Sequence, residues 1–292
     1  MTGATGLLGT EVVREARRRG WQVAGSGRTG FDVKDSAAVR ARLEDERPDV
    51  VVHCAALAAV DAAEGEPDLA FAVNRDGAAH VARAAAGVGA RLVHVSTDYV
   101  FDGSKGAPYL PEDPTGPLSV YGTSKLAGEH AVLDASGDAL VARTSWVYGT
   151  ARPCFVTSMI ALAERAETPT VVDDQWGGPT SASSAAATLL DLIERDATGV
   201  WHAADRGACT PTELADEAIR LRGLDLRVER VSSGKRAAAA SRPRYSALDV
   251  SATEALLGRA IPCWKDSLAA FVAALPPAAG IRSASPVRGG DG

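Results

Sequence analysis

The sequence predicts an α/β fold, a doubly wound parallel sheet followed by a smaller C-terminal lobe, and three observations point to it. In the first half, helical and strand patterns alternate at regular spacing, as crossover connections in a parallel sheet require. The strand segments are nearly all apolar rather than alternating, which is what helices on both faces of a sheet impose. A glycine-rich turn over residues 3–9 runs straight into a helical pattern.

The elements follow in order. Residues 6–19 carry Leu7, Leu8, Val12, Val13 and Ala16 at helical spacing, stopped by Gly20. Strands are read at Trp21 to Ala24, Asp49 to Cys54, Arg91 to Ser96 and Ala139 to Arg143, with helices near 36–46, 67–87 and 118–135 between them. From about residue 150 the regularity loosens into a helix near 155–166, a strand Thr170 to Val172, a helix near 182–194, a strand Val200 to Ala203, and helices near 211–222 and 264–274. Only Met1 and Thr2 precede the first glycine, whereas a buried central strand normally needs about five residues. The first strand therefore reads as truncated, and the expectation is that the start has been placed too late, an in-frame Val codon being taken for the initiator Met.

Composition removes several function classes. The chain has 292 residues, 46% hydrophobic and 23% charged, so it can bury a sizeable core and is neither disordered nor fibrous. No apolar run reaches the roughly 18 residues of a membrane span, and the first residues are not a basic-then-apolar leader, so a cytoplasmic protein without a membrane partner is expected. Four scattered cysteines, Cys54, Cys154, Cys209 and Cys263, have no metal-ligand spacing and fit reduced thiols. A net charge of -6 without a polybasic stretch leaves no footprint for nucleic acid.

Two motifs bear chemistry. Thr2 to Gly9 read TGATGLLG, with Gly3, Gly6 and Gly9 at GxxGxxG spacing; small residues there let the backbone approach a pyrophosphate, which the following helix N-terminus binds. A tight turn packed on a helix gives the same pattern. The second strand ends in Gly25-Ser26-Gly27-Arg28, and a cation at that place meets a 2'-phosphate, so Arg28 points to NADP; a solvated turn arginine is the alternative. The other motif is Tyr121-Gly122-Thr123-Ser124-Lys125, a YxxxK on a helix. Residues four apart share a face, so the Lys125 ammonium can favour the ionised Tyr121 phenol and fit it for general acid–base work, though an amphipathic surface pair has the same spacing. Thr97 stands where a strand ends, and parallel-sheet sites collect at such ends.

GATGLLG, HVSTDYVFDG (94–103), PLSVYGTSKLAGE (117–129), RTSWVYG (143–149), DDQWGGPT (173–180) and RPRYSALD (242–249) together resemble the extended short-chain dehydrogenase/reductases, most closely the dTDP-4-dehydrorhamnose reductase group. The resemblance runs in matching order from residue 1 to about 275. It implies a Rossmann-type NADP-binding domain over 1–150 and a substrate-binding lobe over 151–275 partly interleaved with it; the remaining 276–292, rich in Pro, Gly, Ser and Ala without periodicity, reads from composition as a disordered tail. It implies catalysis by Thr97, Tyr121 and Lys125, with NADPH giving hydride to the C4 carbonyl of a dTDP-linked 4-keto-6-deoxy sugar and Tyr121 protonating the oxygen. NADH is admitted as a second donor. The cofactor contacts implied are Gly3, Thr5, Gly6, Leu7 and Leu8 around the phosphates, Arg28 at the adenosine ribose, Asp32 and Val33 at the adenine, and Ala55, Ala56 and Leu57 near the pyrophosphate and ribose. Lys125 would also hold the nicotinamide ribose beside Tyr121. Tyr99 and Trp146 match positions facing the sugar, and Gln175, Pro179 and Thr180 belong to the second-lobe motif; packing roles are equally open for all five. The partner is a nucleotide sugar, a homodimer is admitted, and no metal is expected.

The chain departs from that group in two places. Where the group shows an NAAAYT-like stretch, this chain has His53-Cys54-Ala55-Ala56-Leu57-Ala58, so a tyrosine and a threonine hydroxyl are missing, and Cys154 stands where an Asn usually precedes Phe-Val. A non-catalytic nucleotide-binding subunit is thus a second reading, and an epimerase or dehydratase a third; Asp98-Tyr99 after Thr97, where a dehydratase tends to show Asp-Glu, favours simple reduction. The histidines His53, His80, His94, His130 and His202 read as structural. Asp61 and Glu64 read as caps on a loop. Asn74 reads as a buttress of the site or a partner of neighbouring backbone.

Overall fold

In the computed structural model, which describes residues 1–27, 30–235 and 238–276, four parallel strands form the main sheet. Helix α1 (Leu7–Arg18) and helix α2 (Ser36–Glu46), capped by Asp35 accepting from the Ala37 and Ala38 N–H groups, precede strand β1 (Val50–His53). The connection to β2 (Arg91–Thr97) runs through α3 (Val60–Gly65), α4 (Pro67–Phe71), a π-helical turn (Ala72–Asp76) and α5 (Gly77–Val88). Helix α6 (Val120–Ala135) leads to β3 (Leu140–Thr144). Then come β4 (Val147–Tyr148), α7 (Phe155–Glu164), β5 (Thr170–Val172), β6 (Thr180–Ser181), α8 (Ala182–Glu194) and β7 (Gly199–His202). Helix α9 (Pro211–Leu221), β8 (Glu229–Val231), α10 (Ser251–Leu257) and α11 (Trp264–Ala274) complete the order.

The main sheet is ordered β1-β2-β3-β7, with Val52 opposite Val93, Val93 opposite Leu140 and Leu140 opposite Gly199. Successive strand residues face opposite layers. Val52, Val93, Leu140 and Ala142 pack on Val12 and Ala16 of α1 and Leu189, Leu190 and Ile193 of α8, whereas Val51, Leu92 and Val141 pack on α2, α5 and Val132 of α6. Two buried faces explain the unbroken apolar runs. Strand β7 and helix α8 come from beyond residue 150 yet belong to these layers, so the two halves of the chain interleave.

The expected strand Trp21 to Ala24 is not formed. A ladder needs successive paired residues on the neighbouring strand, and here the pairing is confined to one isolated bridge at Ser26. Thr2 bridges Ser26 on one side and His53 on the other, its N–H donating to the Val52 carbonyl at 3.0 Å, while the Ser26 N–H donates to Met1 at 2.9 Å. The helix expected over 67–87 is instead α4 and α5 separated by the π turn, and the loop expected around Asp61 and Glu64 is helix α3.

Two small parallel pairs, β4–β6 and β5–β8, sit beside the sheet. Around them Tyr148, Val156, Ile160, Leu214, Trp264, Leu268 and Phe271 join α7, α9 and α11 in a separate core. Among the described residues no helix is long and apolar enough to cross a membrane, and no group of acidic, His and Cys side chains has metal-holding geometry. Residues 277–292, the bulk of the expected tail, lie outside the described residues, as does Arg28.

Candidate active site

The glycine turn forms a bare cradle at the carboxyl edge of the sheet. Gly3 has φ +68°, and a Cβ there would lie 2.6 Å from the Ala55 nitrogen; a Cβ on Gly9 would lie 2.1 Å from the Gly3 carbonyl. Both positions therefore exclude side chains. Helix α1 begins at Leu7 with Gly6 as its N-cap and no side-chain cap, so no side chain competes for its first N–H groups and the dipole end is open to an anion. Gly3, Thr5, Gly6, Asp32, Val33, Ala55, Ala56 and Leu57 line one cavity of about 250 Å³ beside this turn. The cradle and its open helix end fit a dinucleotide diphosphate.

A second cavity, of about 490 Å³, is lined by Gly3, Gly6, Leu7, Leu8 and Ala56 and also by Thr97, Tyr121 and Lys125. Thr97 ends β2; its hydroxyl donates to Asp98 at 3.1 Å and accepts the Tyr99 N–H at 3.2 Å. Helix α6 starts one residue before Tyr121. Ser119 caps it by accepting the Gly122 N–H at 3.1 Å, and Glu64 of α3 accepts the Val120 N–H at 2.8 Å. Gly122 lets the helix close on the strand end, since a Cβ there would lie 2.3 Å from the Tyr99 carbonyl. The Tyr121 phenol is thereby brought beside the Thr97 hydroxyl in the same cavity.

Burial controls the protonation of this set. It pushes the Tyr121 phenol up to about 12, with the Thr97 hydrogen bond acting the other way and the Asp98 charge adding to the rise. It pushes the Lys125 ammonium down to about 8, opposed by the Glu129 charge. Lys125 donates to the Val95 carbonyl at 2.6 Å and lies 3.3 Å from His94 Nε2, which must then accept. The expectation that Lys125 favours an ionised Tyr121 does not describe this state: the phenol keeps its proton at neutral pH. Asp98 is held up at about 6 by burial, against hydrogen bonds from Ser246 at 2.6 Å and Thr97.

Asn74 locks the floor of the site. Fully buried in the π turn, its Oδ1 accepts the Leu57 N–H at 2.8 Å and its Nδ2 donates to the Leu57 carbonyl at 3.2 Å and to Ser124 of α6 at 2.9 Å. Both roles read from the sequence, buttress and backbone partner, are met at once.

A third cavity, of about 680 Å³, opens on the other side, lined in part by Tyr99, Trp146, Gln175, Asp61 and Arg242. Trp146 lines it and the second cavity alike and holds a left-handed backbone at φ +43°. Its indole needs the absence of a side chain at Gly177, whose Cβ would lie 2.2 Å from the ring. The Tyr99 and Tyr121 rings meet edge to face with centroids 6.0 Å apart. Thr180 is not brought to this cavity: it is fully buried, with its hydroxyl donating to the Gly178 carbonyl at 3.1 Å, and Pro179 is buried beside it.

Residues 1–276 match the family model described as RmlD substrate binding domain. The chain belongs to this family. It is 45% identical over 275 residues to a dTDP-4-dehydrorhamnose reductase of Streptomyces griseus, covering 92% of this chain and 90% of that protein. A dTDP-4-dehydrorhamnose reductase of Mycobacterium tuberculosis is 43% identical, covering 94% and 92%. Among solved structures, the dTDP-4-dehydrorhamnose reductase of Bacillus anthracis in complex with NADP is similar at TM-score 0.89 and 35% identity, covering 92% of this chain and 96% of that one.

Within this RmlD-type frame, the departures fall at definite places. Leu57 lines the cavity beside the glycine turn and Ala58 the one holding Tyr121, so both apolar replacements face cavities rather than the core. Cys154 caps α7, its N–H donating to Thr157 at 2.9 Å. Three contributors escaped the sequence reading. Arg242 joins Asp61, at 2.6 Å and 3.1 Å, to the hydroxyl of Tyr99, and only its place in RPRYSALD hints at this. Asp98 owes its raised pKa to burial, and its hydrogen bond from Ser246 comes from 148 residues away, so neither shows in the local sequence. Arg152 belongs to no motif.

Proposed function

We propose that the protein is an NADPH-dependent reductase of the C4 keto group of a dTDP-linked 4-keto-6-deoxy sugar, with Thr97, Tyr121 and Lys125 as its catalytic residues. The observation that supports this best is that one cavity is lined both by the glycine turn and by Thr97, Tyr121 and Lys125. The glycine turn, Leu7 and Leu8 would hold NADPH, which would supply the hydride when bound.

The chain's own groups handle the oxygen. Tyr121, protonated at neutral pH, gives its phenolic proton to the carbonyl oxygen as that oxygen gains negative charge. Thr97 holds the phenol and is placed to share the same oxygen. Lys125, as an ammonium below about pH 8, stabilises the phenolate left behind and orients the nicotinamide ribose. Tyr99, Trp146 and Gln175 position the sugar nucleotide in the third cavity. A division into a cofactor-binding part over 1–150 and a substrate lobe over 151–275 belongs to the same reading, as do a cytoplasmic location and a homodimer, which light scattering of the purified chain measures.

The test is NADPH oxidation by the purified protein on adding dTDP-4-dehydro-L-rhamnose, for the chain as written and for one extended upstream. Turnover in either form supports the reading. No oxidation in either form, with NADPH bound, would overturn the substrate assignment.

A further inference from the structure

The segment 149–154 joins β4 to α7 and passes over the glycine turn. Its start is pressed on α8 and the first helix: a Cβ on Gly149 would lie 3.0 Å from the Ala182 side chain of α8 and 3.7 Å from that of Leu7 of α1. Its end folds back, the Cys154 thiol donating to the Gly149 carbonyl at 3.6 Å. A loop closed at both ends presents its middle outward, and there Arg152 reaches the turn. The guanidinium Nε donates to the Thr5 carbonyl at 3.1 Å, and Nη2 lies 3.5 Å from the Thr5 hydroxyl. Thr5 is itself fixed, because its side chain fills the space a Cβ on Gly27 would take, 2.7 Å from the hydroxyl.

Two further facts bear on what this arginine does. It lines both the cavity beside the glycine turn and the one holding Tyr121 and Lys125, and it does not line the third cavity of Trp146 and Gln175. Among the described residues no carboxylate lies within ion-pair distance of it, whereas Lys34, the other described cation on the first cavity, pairs with Asp32 at 3.4 Å. An exposed guanidinium with most of its five N–H donors unspent, at the rim of an open helix N-terminus, is chemically suited to a diphosphate.

We propose that Arg152 is a ligand of the cofactor's diphosphate, supplied by the second half of the chain across the glycine turn. This rests on the reductase reading, in which that turn holds NADPH. A diphosphate also occurs in the sugar nucleotide, but Arg152's place on the first two cavities and not the third assigns it to the dinucleotide.

The test is Arg152→Gln, with dissociation constants for NADPH and NADH from nucleotide fluorescence and for dTDP from calorimetry, at low and high salt. The variant should weaken NADPH and NADH by the same factor, about tenfold, as the loss of one charge-assisted contact implies. That factor should shrink at high salt, and dTDP affinity should stay unchanged. Arg28→Ala serves as the contrast, since a residue reading the 2'-phosphate weakens NADPH alone. Unchanged dinucleotide affinity in Arg152→Gln, a loss confined to NADPH, or a loss confined to dTDP would each overturn the proposal. A wild-type chain that binds neither dinucleotide overturns the reductase reading beneath it.

Discussion

The Lys125 ammonium donates to the carbonyl of Val95 at 2.6 Å, two residues before the strand end where Thr97 meets Tyr121. The bond ties α6 to β2 and leaves His94 Nε2, 3.3 Å away, as the second acceptor. The charge is thus anchored from below, and burial has already brought it to about 8, close to working pH.

The alkaline limb of activity should report this. Lys125 must be charged to stabilise a phenolate, and its pKa is lowered, so kcat/KM should fall as pH rises through about 8. His94→Leu removes an acceptor from the buried ammonium and should move that limb downward by roughly one pH unit. A pH–rate profile of both proteins checks it; coincident limbs would show that His94 does not hold Lys125.

Tyr121→Phe keeps the ring and its edge contact with Tyr99 but removes the proton donor. Turnover should drop roughly 10²–10⁴-fold while the NADPH dissociation constant stays within about twofold. Single-turnover kinetics and a fluorescence titration separate the two. Near-wild-type turnover would defeat the assignment of Tyr121.

Asp98 makes stability depend on pH in an unusual sense. Its pKa is raised from 3.8 to about 6, so the fold favours its protonated form; that contribution is complete below 3.8 and is lost as pH climbs through about 6. Asp98→Asn cannot titrate. Its Tm relative to wild type should therefore rise between pH 4 and pH 7, by the equivalent of up to about 3 kcal/mol. A difference that stays flat with pH would show that Asp98 keeps an ordinary pKa.

Gly177→Ala places a methyl 2.2 Å from the Trp146 indole, which must move. The KM for the sugar nucleotide should rise about tenfold or more, with NADPH affinity unchanged because the glycine turn is untouched. Equal losses for both ligands would mean that Gly177 supports the fold and not the third cavity.

Much of the layered fold was legible because buried strands and amphipathic helices write their environment into residue order: Val50 to His53 and Leu140 to Thr144 lie where the apolar runs stand. Tyr121 and Lys125 were legible because four residues is one helical turn. The strand at Trp21 to Ala24 was misread because apolar propensity does not supply a ladder partner. The π turn around Asn74, the two-residue strands β4 and β6, and Thr180's inward hydroxyl have no local periodicity to betray them.

Sequence by itself thus determined the parallel sheet, the glycine turn and the residue types able to move a proton and bind a phosphate, since these depend on spacing within single elements. Only the tertiary structure decided their chemical state. Burial sets Tyr121 at about 12, Lys125 at about 8 and Asp98 at about 6. Contacts between residues far apart in the chain, Ser246 to Asp98 and Arg152 to Thr5, close the site. Desolvation and long-range contact arise only when distant segments pack, and no local pattern encodes which segments those are.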